Sequence, residues 1–98
     1  MLSYLKEYDI TDDQIKDIVK TYDNDLLKNL DFSKKNVKAT IKYLKEFGVV
    51  DIYNIIKNRI DLLFLPTSLV KQNFTKLDKK MLVYILNNSI GELINYNI

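Results

Sequence analysis

Tyr4-Leu5-Lys6-Glu7-Tyr8-Asp9-Ile10 returns further along the chain as Tyr43-Leu44-Lys45-Glu46-Phe47-Gly48-Val49. Recurrence of one pattern in so short a chain points to a helical repeat, because each copy has the apolar spacing of a helix face and neither can bury that face alone. Repeats of this kind usually build a binding surface. Outward from these copies the apolar residues stay at spacings of three and four, with no sustained alternation, so the fold expected is all-α.

Leu2, Leu5 and Tyr8 mark a short first helix. Thr11-Asp12-Asp13-Gln14 fits a capping box, in which Thr11 and Gln14 satisfy each other's backbone N–H. Ile15, Ile18, Val19 and Tyr22 form the stripe of the helix that follows. Asp23-Asn24-Asp25 breaks it, because these side chains compete for backbone hydrogen bonds. Leu26, Leu27 and Leu30 pack a brief helical turn, and Phe32-Ser33 leads into the next cap. The longest helix is expected from Lys34 to Phe47, with Val37, Thr40, Ile41 and Leu44 inward and Gly48 in the usual left-handed place beyond its end.

Further on, Asp51 caps a helix through Ile52, Ile55 and Ile56, and Pro66 ends the apolar cluster from Ile60 to Leu65. Thr67 or Ser68 opens a helix carrying Leu69, Val70 and Phe74. Asp78 caps another with Met81, Leu82, Ile85 and Leu86, and Ser89-Ile90-Gly91-Glu92 fits a second capping box. A third, fainter copy aligns Tyr43-Leu44 with Tyr84-Ile85 and puts its turn at Ser89. The expectation is one domain over 1–98, with two to three stacked short helical repeats built from six or seven short helices.

The two clear copies resemble the repeat of the mitochondrial transcription termination factor (mTERF) family. The pattern reads Tyr43-Leu44-Lys45-Glu46-Phe47-Gly48-Val49, Ile52, Ile55-Ile56-Lys57, Leu62-Leu63, and before it Tyr4 to Ile10, Ile15, Ile18-Val19-Lys20, Leu26-Leu27. Asn24 and Ile60 stand where that family carries proline, and the likeness covers the first two-thirds of the chain. It implies a helical solenoid that binds double-stranded nucleic acid along a basic groove.

The composition excludes much chemistry. There is no His and no Cys, which removes the commonest general base, the Ser–His and Cys–His nucleophile pairs and every Cys/His zinc site. With only Gly48 and Gly91 there is no phosphate-binding loop and no nucleophile elbow. Asp23-Asn24-Asp25 fails as a calcium loop, because Leu27, Lys28 and Lys34 occupy positions that need an oxygen ligand, a glycine and a glutamate. The reading is therefore no enzyme, no metal and no cofactor. No apolar run is long enough for a membrane span and the first residues lack a signal-peptide pattern, so a cytoplasmic protein is expected.

Charge is uneven. From Met1 to Asp31 eight acids meet four lysines, a net of −4, while the remainder carries eleven basic residues against five acids, a net of +6. Lys34, Lys35, Lys38, Lys42 and Lys45 fall within an arc of about 100° on the long helix. Such a stripe suits phosphate contacts, the source of sequence-independent nucleic-acid affinity. Arg59 joins them as the only arginine, so base readout by bidentate Arg has little to work with and the binding expected is backbone-led. Lys71, Lys76, Lys79 and Lys80 flank Phe74 as a second patch, with Phe74 itself expected in the core. The rival expectation is a protein–protein adaptor or inhibitor, or a homodimer, docking through apolar residues near the termini: Met1, Leu2, Ile94 and Ile98. Tyr4, Tyr43 and Tyr84 are expected to pack between repeats, and Tyr53 and Tyr96 fit the core less well.

Overall fold

Thr11 Oγ1 accepts the Gln14 N–H at 3.1 Å and Gln14 Oε1 accepts the Thr11 N–H at 3.0 Å, so the first capping box forms as its sequence requires. It opens α1 (Asp12–Thr21). The computed structural model describes residues 2–98, and every element in them is helical. A 3-10 helix (Ser3–Tyr8) precedes α1; then follow α2 (Asn24–Phe32), α3 (Lys34–Phe47), α4 (Ile52–Arg59), α5 (Asp61–Phe64), α6 (Thr67–Asn73), α7 (Lys79–Asn88) and a second 3-10 helix (Ile90–Tyr96). That makes seven α-helices and two 3-10 helices among the described residues, more than the six or seven expected.

The excess arises where a predicted break also serves as a start. Asp23 accepts the Leu26 N–H at 2.9 Å, so the Asp-Asn-Asp triplet ends α1 and at once caps the nine-residue α2, where only a brief turn was expected. Asp51 and Asp78 cap α4 and α7 in the same way. The second capping box is a correction: Ser89 makes no side-chain cap, and the residues after it wind as a 3-10 helix. Ile90 and Leu93, three apart, match that tighter period and are both buried.

One apolar cluster runs through the described residues and draws on all nine helices. α3 lies at its centre, packed on α2, α5 and α6, with Val37, Thr40, Ile41 and Leu44 buried as their spacing predicts. Thr40 is the one buried polar side chain of the described core, and its hydroxyl lies 2.7 Å from that of Thr67. Asn36, one turn earlier, donates from Nδ2 to the carbonyls of Leu65 (2.8 Å) and Leu63 (3.2 Å). These carbonyls lie at the end of α5, where a helix leaves its last acceptors without intrahelical donors, and the side-chain amide donates to both. The molecule is somewhat elongated, 36 × 23 × 22 Å.

Every positive-φ position among the described residues closes a segment of one pattern. Leu2, Leu5, Tyr8, Asp9 and Ile10 have the spacing of Ile41, Leu44, Phe47, Gly48 and Val49, and again of Ile90, Leu93, Tyr96, Asn97 and Ile98. Asp9, Gly48 and Asn97 have φ of 65°, 129° and 59°. In the second and third segments the next amide bonds back to the Leu carbonyl, Val49 to Leu44 at 2.9 Å and Ile98 to Leu93 at 3.2 Å. This is a paired closure of the helix end. Ser89, where the sequence comparison put a third turn, has φ of −149°.

Several side chains depart from expectation. Val19 and Tyr84 lie exposed on the outer faces of α1 and α7, whereas Tyr4 is buried and donates its hydroxyl to the Leu30 carbonyl at 2.8 Å. Leu2 and Ile98, expected at an open end, are buried, because each opens or closes one of the three patterned segments. Ile94 is exposed as expected, and Met1 lies outside the described residues.

Candidate nucleic-acid interface

The five lysines of α3 flank its buried stripe on the side that meets the first 3-10 helix. Because that helix carries the acidic start of the chain, part of the stripe is met by carboxylates. Lys38 Nζ lies 3.3 Å from Glu7 Oε2, and Lys45 Nζ lies 3.5 Å from Asp9 Oδ2. Both pairs join exposed groups in high dielectric, where an ion pair adds little stability and a competing anion can replace the carboxylate. Lys34 sits over the Tyr4 ring, 5.7 Å from its centroid. Lys35 and Lys42 are exposed, and among the described residues neither joins an ion pair. Part of the acidic start of the chain is thus folded against the basic remainder along this seam.

Arg59 stands apart from this flank, at the end of α4. Its guanidinium grips Asp61 through two hydrogen bonds of 3.0 Å, from Nε and from one terminal nitrogen, and holds the Asp61 carboxyl below the usual carboxylate range. Such charge-assisted, two-point pairing is the strong form of the contact. Of the six candidate residues, the structure brings the five lysines together on α3 and leaves Arg59 committed elsewhere.

Another basic patch lies on the far side of α3. Tyr43, Phe47 and Phe74 form an aromatic trio with centroids 5.1 to 5.9 Å apart, and Phe74 is buried among the core residues as expected. Lys71 sits over Tyr43 and Lys79 over Phe47, each 5.4 Å from the ring centroid. At that separation an ammonium is attracted to the ring face. Burial raises the Tyr43 pKa. These lysines are spent on covering the rings, and Lys76 donates to the Asn97 carbonyl at 2.8 Å.

A group of mutually perturbed charges joins α1 to α4. Asp17 accepts from the Tyr53 hydroxyl and from Lys57 Nζ (2.7 Å), and the same ammonium reaches Thr21 Oγ1 at 2.8 Å. The bond from Lys57, then that from Tyr53, lowers the Asp17 pKa; the bond to Asp17 raises those of both Tyr53 and Lys57. Each shift holds its group in the form it already has at neutral pH, the reverse of what a general base or an amine nucleophile requires. The cluster is a clasp between two helices. Among the described residues no three carboxylates gather as a metal site would need, and no helix is long and apolar enough to cross a membrane.

Sequence reasoning missed Phe32. Read as a connector before Ser33, it is the last residue of α2 and stands 87% exposed beside an open depression lined by Ser33, Lys35, Asn36 and Ala39. A helical-wheel reading of α2 would have found it, since Leu26, Leu27 and Leu30 define a buried face to which Phe32 does not belong. No protein-family model, curated protein or solved structure matches this chain.

Proposed function

We propose that the protein is a non-catalytic helical-repeat module that binds nucleic acid through its phosphate backbone along the lysine flank of α3. The carrying observation is the flank itself: five lysines share one arc, two of them exposed and without an ion pair among the described residues, two held only by long surface ion pairs. The repeat character of the reading rests on the three segments of matching pattern that close at Asp9, Gly48 and Asn97. Fluorescence anisotropy of labelled duplex and single-stranded oligonucleotides, at about 50 and about 200 mM salt, tests it. Four or five phosphate contacts lose about two decades of affinity over that range. Lys35→Glu with Lys42→Glu should abolish binding at unchanged helicity, because neither side chain holds the fold together. Binding that ignores both salt and these substitutions would rule the flank out.

A second reading, docking of a protein or a second copy, has its own observation. Val50, Tyr84 and Ile94 are 80%, 63% and 74% exposed, on the α3–α4 loop, on α7 and on the 3-10 helix that packs against α7. A self-association that Ile94→Asp dissolves, seen by light scattering, supports this reading. A monomer at all concentrations removes its homodimer form.

A further inference from the structure

Phe32 is a costly residue to leave in water, since an aromatic ring is among the side chains that gain most from burial. It stands beside an open depression that Ser33, Lys35, Asn36 and Ala39 complete. Lys28 precedes it by one turn of α2, and Lys42 follows Lys35 by two turns of α3. All three lysines are exposed, and none joins an ion pair among the described residues. Phe32 therefore stands where the unpaired part of the lysine flank begins.

The form of this place selects its ligand. A protein anchor needs an enclosed, well-packed pocket or an extended apolar patch. Among the described residues the apolar side chains at this depression are Phe32 and Ala39, and it is open. A nucleic-acid base needs less: one free aromatic face and positive charge for the phosphates on either side. In a duplex the faces of the bases are already stacked on one another, so a single ring at the surface meets a base face only where the strand is unpaired.

The geometry points to Phe32 as a stacking platform for an unpaired base, with Lys35, Lys28 and Lys42 meeting phosphates of the same strand. The ligand class is then single-stranded nucleic acid. This rests on the nucleic-acid reading of the lysine flank and adds a strand state and an aromatic contact to it.

Two labelled oligodeoxynucleotides of roughly twelve residues, within the usual site size for single strands, separate the two ideas. One is oligothymidylate; the other has the same phosphates but abasic sugars. Each is titrated by anisotropy with wild type, Phe32→Ala and Phe32→Trp. The expected result is that wild type prefers the base-bearing strand, that Phe32→Ala weakens that complex about five-fold or more, and that Phe32→Trp restores it. Binding to the abasic strand should be the same for all three proteins. If Phe32→Ala binds oligothymidylate as wild type does, the platform is overturned while the lysine flank stands. If wild type binds neither oligonucleotide at low salt, the platform falls, and the duplex arm of the salt titration decides the lysine flank by itself. Because the ring is exposed, its removal leaves the fold intact, and circular dichroism of the variants checks this directly.

Discussion

Gly48, just beyond the end of α3, holds a conformation that a residue with a side chain could not reach without strain. Its φ is 129°, and a Cβ there would meet both Cγ atoms of Val83 at 3.1 Å. Gly48→Ala should therefore cost about 1–3 kcal/mol, read as a lowered midpoint in urea denaturation. Asn97, at φ of 59°, stands in the left-handed region. Asparagine tolerates that region and glycine enters it freely, so Asn97→Gly should be neutral or slightly stabilising. A Gly48→Ala variant as stable as wild type would mean that the closure of α3 can be rebuilt another way. The glycine was legible in the sequence because it follows directly on a strong helical stripe. Asn97 was not, because aligning the third copy through Tyr84-Ile85 puts its turn at Ser89 instead of after Tyr96.

Among elements, the junction between α5 and α6 depends on a side chain from α3. Asn36 alone among the described side chains donates to the carbonyls of Leu63 and Leu65. Asn36→Ala leaves these acceptors without their donor and should cost about 1–3 kcal/mol. Hydrogen exchange should report the loss as faster opening of α5 and α6, with α1 and α2 unchanged. Protection lost evenly over the whole chain would show instead that the junction opens only with global unfolding. The helices themselves were legible from apolar period and from Thr11, Asp51 and Asp78 as caps, since those signals lie within a few residues of their effect. The partners of Asn36, Tyr4 and Tyr53 lie 26 to 36 residues away, and no local pattern encodes them. For the same reason the lysine flank could be read from the sequence but its partial neutralisation by Glu7 and Asp9 could not. Phe32 was lost through a misjudged length for α2.

At the scale of the whole molecule, stability should be limited on both sides of neutrality. Asp12, Asp17 and Asp61 have depressed pKa values in the folded state, through Lys6, Lys57 and Arg59 respectively. Their contributions are present above the unfolded carboxylate value, about 3.9, and are lost as pH falls through the lower folded values. On the alkaline side burial, chiefly, pushes Tyr4 from 10.0 up to about 12, and Asp17 raises Lys57. A raised value contributes stability below the unfolded pKa and loses it as pH rises through the folded one. Tyr4 therefore places that loss between pH 10.0 and about 12. Thermal melts should show a plateau around neutrality with a fall on either side, and Tyr4→Phe should flatten the alkaline limb. An alkaline limb unchanged in that variant would remove Tyr4 as its cause.

The clasp between α1 and α4 also gives the protein an optical handle. The chain has seven tyrosines and no tryptophan, so phenol emission is not drained by energy transfer to an indole. A phenol that donates to a carboxylate emits weakly, and Tyr53 does so to Asp17. Separation of the two helices should brighten the intrinsic fluorescence of the unlabelled molecule, and Tyr53→Phe should erase that signal, so the opening of this one seam can be timed without attaching a dye.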